Sequence, residues 1–443
     1  WQMNAPRDTP LDFNPEIGFS PAWGGTAPFP NDTPLTDGYY LNWYSPYGDD
    51  THDPASAVRP ATDSAAAATA IATGVKTDPG NIAWRMGDPL NGAISTLAEQ
   101  MRDTHGAPFG VVTTVPFNHA TPAAWAAHAT TRANYQGIAA SMLGQVRPDI
   151  IIGGGNPRYY GGFDGIQNFQ YLPEEYYEEL AAGENTEYTF VEHAQGQAGE
   201  DVLAAGFATA LAEEKKLFGL FGGVNGNFNS PSPADAPGAP RLNRTNTENP
   251  LLHHAVSQSL DYLRAVDGGA GFFVMFEQGD IDWANHENNY KRMVGTMWDL
   301  HLAVQAALDF VDQPGDNIDW TNTLLLVTAD HANSYMRLTD APKLGAGDLP
   351  AQKLATATKN PHCESSQGAC AKGFVHNFTY PDGEVKYHTS GHTNEPVSLY
   401  AKGDAARLFE QFEGLWYPGT RLIDNTHIYR VCAEAAHVDS MTS

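Results

Sequence analysis

Three groups of side chains in this 443-residue chain could do ligand chemistry, and their spacing can be read directly. In Glu277-Gln278-Gly279-Asp280-Ile281-Asp282-Trp283-Ala284-Asn285-His286, Asp282 and His286 stand four apart. One helical turn puts both on one face, and a carboxylate oxygen beside an imidazole nitrogen suits zinc. Asp330-His331 follows the apolar run Leu324-Leu325-Leu326-Val327-Thr328, and His388-Thr389-Ser390-Gly391-His392 brings a further histidine just before the apolar residues 396–401. A lone histidine is usually structural, but three His/carboxylate sets at the ends of apolar runs are hard to explain without a metal centre. A fourth stretch supplies a nucleophile. Asp63-Ser64 opens a small-residue run that closes at Gly74. Ser64 is therefore expected in the first turn of a helix, where backbone N–H groups and the dipole would stabilise an anion or a developing phosphoserine. Taken alone, the pair reads equally as an N-cap on an alanine-rich core helix.

The elements that must position these groups alternate. Phe109-Gly110-Val111-Val112-Thr113-Thr114 reads as a strand, and Thr121-Pro122 as an N-cap with proline at N1 of the helix after it. Asp149-Ile150-Ile151-Ile152-Gly153 is a buried strand, followed by an acidic, tyrosine-rich excursion to about residue 185. Residues 188–191, a helix near 201–212 and residues 217–221 continue the pattern. Helical periodicity covers 251–263, a strand 272–276, a long amphipathic helix 293–311, and a last helix runs near 426–436. Strands alternating with helices predict an α/β fold: one domain over residues 1–443, with a mostly parallel central sheet, helices on both faces and long loop insertions. The insertions are residues 5–60, 222–249 and 335–390. Ligands of such sheets bind beyond the carboxyl ends of the strands, which is where the polar clusters fall.

Composition narrows the partners. Twenty-five Lys and Arg against 52 Asp and Glu give a formal charge of −27. Such a surface repels nucleic acid and anionic membranes, so neither is expected as a partner. No apolar run approaches membrane-spanning length and no signal peptide is evident, so the chain is either mature or not exported. Cys363 and Cys370 bracket a short polar run and predict a local disulfide in an exported protein, while Cys432 is expected to be a buried free thiol.

The residues 62–77, T-D-S-A-A-A-A-T-A-I-A-T-G-V-K-T, resemble the nucleophile segment of the alkaline phosphatases. The ordered set that follows strengthens the resemblance from about residue 59 to the C-terminus: His119-Ala120-Thr121-Pro122-Ala123, then Arg132, then E-x-x-x-x-D-x-x-x-H at Glu277, Asp282 and His286, then T-A-D-H at Asp330 and His331, then G-H-T at His392. The resemblance implies hydrolysis of small-molecule phosphate monoesters through a phosphoserine on Ser64. It implies one zinc on Asp282, His286 and His392, a second on Asp330, His331 and Ser64, and magnesium in a third, oxygen-rich site with Thr121 and Glu277. Arg132, oriented by Asp63, would grip the phosphate as a bidentate fork. His119 and Trp283 stand at two positions that vary within the family. A histidine at the first could ligate the third site or shape its water shell. An indole at the second cannot supply the basic charge some members carry there, so weaker product affinity is expected. The family also implies a periplasmic or extracellular location and a homodimer.

One departure stands out. The family opens on a strand ending in G-D-G-M-G, whose aspartate bridges the second zinc and the magnesium. Nothing here matches, and Trp1 resembles the residue just beyond that motif. The expectation is that this chain lacks that first strand although the protein has it, which would leave a slot in the sheet and two metal sites short of a ligand. A sulfatase would need a C/S-x-P-x-R motif, which Ser64-Ala65-Ala66 is not. Phosphodiesterase activity and a metal-poor pseudo-phosphatase that binds phosphate stay open as alternatives.

Overall fold

A computed structural model describes residues 62–158, 167–223, 226–228, 247–334, 336–338, 385–387, 390–393, 396–414 and 421–438, together with a few two-residue strands elsewhere. The first described helix is α1 (Ser64–Thr73), capped by Asp63 and closed by Gly74 in the left-handed conformation, φ 74°. A Cβ on Gly74 would stand 2.5 Å from the Tyr429 ring, so both the turn and the neighbour require glycine. Five alanines of α1 are buried almost completely. Small side chains let the helix lie close against its neighbours, which is why its sequence is alanine-rich and not Leu-rich.

Helix α2 (Leu97–His105) starts on a capping box between Thr96 and Glu99. After it come β1 (Phe109–Pro116), α3 (Ala120–Ala126), α4 (Tyr135–Ser141) and β2 (Ile150–Gly154). The chain continues through α5 (Glu174–Ala181), β3 (Tyr188–Glu192), α6 (Gly199–Glu213), β4 (Lys216–Leu220) and α7 (Leu252–Val266). Next are β5 (Phe273–Glu277), α8 (Asp280–His286), α9 (Tyr290–Val311) and β6 (Leu325–Val327). Two short strands, β7 (Ala332–Asn333) and β8 (His392–Thr393), then β9 (Tyr400–Lys402) and α10 (Thr426–Ala435), complete the frame.

The central sheet has the order β5-β1-β2-β4-β3, and every pair in it is parallel. Alternation along the strands divides the core in two. Val111, Ile151 and Phe218 face a cluster with residues of α1, α3, α4 and α10, whereas Val112, Ile150, Ile152 and Leu217 face one with residues of α6, α7 and α9. Side chains buried on both faces are what the near-continuous apolar runs require. Strand β5 shares this alternation, with Phe273 and Met275 on one side and Val274 and Phe276 on the other. Among the described residues β5 pairs with β1 alone, and β6 pairs only with β9, antiparallel.

Two expectations change. Helix α3 begins at Ala120 with His119 as its N-cap, so Thr121 is inside the first turn and is not the cap. Proline at 122 remains compatible because first-turn N–H groups have no partner within the helix. Cys432 is free but only half-buried, and burial still pushes its thiol up to about 12. Cys363 and Cys370, like most of residues 5–60, 229–246 and 339–384, lie outside the described residues. Among those that are described, no helix is long and apolar enough to cross a membrane.

A buried His/carboxylate pair ties α2 to the segment after α3. His128 Nε2 lies 3.1 Å from Glu99 Oε1, both side chains being 14% exposed. Burial disfavours charge on each, but the pairing outweighs it, lowering Glu99 and raising His128. The Glu99 contribution to stability is present above the ordinary carboxylate pKa of about 4.3 and is lost as pH falls through the depressed value. The His128 contribution is complete below the ordinary imidazole pKa of about 6.5 and is lost as pH rises through the raised value. Glu99→Gln should therefore destabilise the fold more at pH 5.5 than at pH 9, measured as urea midpoints at the two pH values. An equal effect at both would contradict an ionic pair.

Candidate active site

The carboxyl ends of β1, β5 and β6 deliver the site, and α1 brings its N-terminus to the same place. Asp63 accepts hydrogen bonds from the backbone N–H of Ala65 at 3.3 Å, of Ala66 at 3.1 Å and of Gly80 at 3.1 Å. Arg132 Nη1 donates to the same carboxylate at 3.3 Å, and the Arg132 N–H donates to the Gly80 carbonyl at 2.7 Å. Asp63 thus engages the Ala65 and Ala66 amides of the first turn of α1. Arg132, oriented by Asp63, is the fixed cation of the pocket. Ser64 is buried, and its Oγ lies 2.9 Å from His331 Nε2.

Helix α8 carries Asp282 and His286 on one face, as their spacing predicts. His286 Nε2 is 3.3 Å from Asp282 Oδ2, His392 Nε2 is 3.5 Å from Asp282 Oδ1, and the two Nε2 atoms are 3.2 Å apart. Each ring is oriented from behind: His286 Nδ1 donates to the Ser390 carbonyl at 2.6 Å and His392 Nδ1 to the Thr62 carbonyl at 2.8 Å. A carbonyl only accepts, so both Nδ1 atoms carry the proton and both Nε2 atoms turn toward each other and toward Asp282. Asn333 Nδ2 holds Asp282 Oδ1 at 2.6 Å. His331 stacks on His392 with ring centroids 3.5 Å apart, and Asp282, His331 and His392 each offer a ligand atom within 4.8 Å of the others.

These donors fit a zinc ion. About a tetrahedral zinc with bonds of 2.0–2.1 Å, donor atoms stand roughly 3.3 Å apart. The separations of 3.2 Å between the two Nε2 atoms and of 3.3 and 3.5 Å from them to one or other oxygen of Asp282 are close to that length. Facing imidazole nitrogens also need a cation or a proton between them. Burial opposes ionisation of Asp282, but the two imidazoles, His286 foremost, outweigh it and hold the carboxyl well below its usual range. Burial likewise opposes charge on His286, and Asp282 raises it to about 9 regardless. Burial pushes Asp330 up to about 7, with help from Asp282, and pulls His331 down to about 3, with help from His392.

Glu277 ends β5 directly opposite Thr113 of β1. Its carboxyl accepts from the Thr113 hydroxyl at 2.5 Å and from the Thr121 hydroxyl of α3, and burial raises it to about 7. Oxygen donors alone converge here, which is the chemistry of a hard cation such as magnesium. Below, the Thr114 hydroxyl donates to Gln278 Oε1 at 2.8 Å and Gln278 Nε2 to Asp299 Oδ2 at 2.7 Å, anchoring the strand end on α9. His119 and Trp283 meet ring edge to ring face with centroids 5.6 Å apart, and both line one pocket with Ser64, Arg132, Glu277 and Asp330. The expected site residues Ser64, Asp63, Arg132, Thr121, Glu277, Asp282, His286, Asp330, His331 and His392 therefore converge. Thr113, Asn333 and the carbonyls of Thr62 and Ser390 are supports that sequence reasoning did not name.

A family model described as alkaline phosphatase matches residues 28–438. The chain belongs to the alkaline phosphatase family. It is a phosphoric monoester hydrolase by that membership. Alkaline phosphatase 4 of Bacillus subtilis (strain 168) is 27% identical over 394 residues, covering 80% of this chain and 73% of the relative. The alkaline phosphatase of Escherichia coli (strain K12) is 29% identical over 307 residues, 62% of this chain and 58% of that protein. Among solved structures, the cold-active alkaline phosphatase of a Shewanella species aligns with a TM-score of 0.55 at 26% identity, covering 85% of this chain and 86% of that one. The alkaline phosphatase of the Antarctic bacterium TAB5 shares the fold, with a TM-score of 0.54 at 21% identity and 85% coverage of each chain.

Proposed function

We propose that this alkaline phosphatase family member hydrolyses small phosphate monoesters through a phosphoryl group carried on Ser64, with two zinc ions and one magnesium in place. The reading rests most on the 2.9 Å approach of Ser64 Oγ to His331, beside a carboxylate-held Arg132 and the zinc-length separations around Asp282. Asp282, His286 and His392 would hold one zinc, Asp330 and His331 with Ser64 the other, and Glu277 with Thr121 the magnesium. The chemistry these ions supply when bound is Lewis-acid stabilisation of the attacking and leaving oxygens.

The chain's own residues do the rest. Arg132 presents two N–H donors to two non-bridging oxygens of the phosphoryl group, and Asp63 keeps the guanidinium from swinging out of the pocket. Ser64 Oγ gives up its proton and forms its bond to phosphorus as the ester P–O bond breaks, and the departing oxygen leaves as the alcohol after taking up a proton. Water then cleaves the Oγ–P bond, returning the serine hydroxyl and releasing inorganic phosphate. Asn333, Thr113 and the Ser390 and Thr62 carbonyls fix the donors in advance, so little reorganisation is needed. Small-molecule monoesters are the substrates, the location is periplasmic or extracellular, and the assembly is a homodimer.

The test is chelation followed by reconstitution of the purified protein. p-Nitrophenyl phosphate turnover should vanish on chelation and return with zinc plus magnesium, while bis(p-nitrophenyl) phosphate is turned over far more slowly. Turnover that survives complete chelation would reject the metal set. A preference for the diester would reassign the site as a phosphodiesterase.

A further inference from the structure

Two rings, His119 and Trp283, line the pocket, and His119 is itself packed from behind by further rings. Asn118 is fully buried, and its Nδ2 donates to the carbonyl of Tyr135 at 2.7 Å and to that of Tyr171 at 2.8 Å. One amide thereby joins the segment entering α3, the first residue of α4 and the loop before α5. The Tyr135 ring lies parallel to His119, 8° between planes and 5.7 Å between centroids. Tyr171 meets Tyr135 edge-on at 4.8 Å and His119 at 6.3 Å, and Trp283 meets His119 edge to face at 5.6 Å. These separations are those of favourable aromatic pairs. The Tyr135 hydroxyl stands 3.5 Å from His119 Nε2, too long for a strong hydrogen bond, so the ring and not the hydroxyl makes the contact.

We propose that Tyr135 and Tyr171, locked together by Asn118, are positioning residues that hold His119 and Trp283 as a rigid wall of the phosphate pocket. The inference rests on the phosphomonoesterase reading of that pocket and adds what sets its affinity for phosphate. Tyr135 lies three residues after Arg132, so one short segment presents the cation and braces a ring of the same pocket. A fixed aromatic wall excludes water from the guanidinium–phosphate contact and so strengthens it. A loosened wall admits water and weakens phosphate and substrate together.

The experiment is calorimetric titration of the zinc- and magnesium-loaded protein with inorganic phosphate, accompanied by thermal melts and p-nitrophenyl phosphate kinetics. Tyr135→Phe keeps the ring and should bind phosphate within about twofold of the wild type. Tyr135→Leu, and Tyr135→Met as a variant that fills the space without a plane, should weaken phosphate about tenfold and raise KM in parallel. In a His119→Ala background the same changes should add nothing, because their route runs through that ring. Unchanged phosphate affinity in a folded Tyr135→Leu or Tyr135→Met protein overturns the proposal. So does a full effect persisting without His119. Phosphate affinity tests the wall and turnover tests the parent reading, so the two can fail separately.

Discussion

Ser64→Ala should lower kcat/KM for p-nitrophenyl phosphate by on the order of 10⁴ or more, the scale seen when a nucleophile is removed from a working constellation. The fold should not register the change. Ser64 is the first residue of α1, Asp63 and not Ser64 caps the helix, and alanine is already the commonest residue there. Melting temperature should stay close to the wild type, and phosphate should still bind, since Arg132 and Asp63 are untouched. Activity within tenfold of the wild type would mean that water attacks phosphorus directly and that Ser64 is only part of the wall.

Asp282→Asn carries the second large effect. Asp282 lies within 3.5 Å of both His286 Nε2 and His392 Nε2, and its charge is what those rings stabilise. Asparagine keeps the shape and loses the anion. Zinc content should fall by about one ion per chain and kcat/KM by about 10³-fold, the cost typical of removing a preorganised electrostatic group. In the metal-free protein, the His286 titration that Asp282 raises to about 9 should drop back toward the ordinary imidazole range, which NMR of the ring protons reads directly. Full zinc and full turnover in this variant would contradict the assignment of Asp282.

The parts of the site legible in the sequence are those made by local geometry. Asp63 and Ser64 are a cap and the residue after it, Gly74 a left-handed stop, and Asp282 and His286 a single helical turn, so spacing alone brought each pair together. Strand ends were legible because apolar runs stop where polar clusters begin. Thr113 was missed because it meets Glu277 only through the register between β5 and β1, strands 164 residues apart in sequence. The Ser390 and Thr62 carbonyls that orient His286 and His392 leave no trace in residue type at all. The Thr-Pro signature predicts a cap at Thr121. Its hydroxyl turns to Glu277 once the helix starts two residues earlier, at Ala120. Tyr135 stacks on His119 from 16 residues further along the chain, a tertiary contact that no local spacing signals.

The central claim is that phosphorus passes through Ser64. The most direct measurement is to mix the metal-loaded protein with a phosphate monoester, quench in acid during turnover, digest, and map the phosphoryl group by mass spectrometry. A single phosphorylated site at Ser64, absent from Ser64→Ala, is the expected result. Steady turnover with no phosphopeptide under conditions that trap the intermediate, or a phosphoryl group on any other residue, would contradict it.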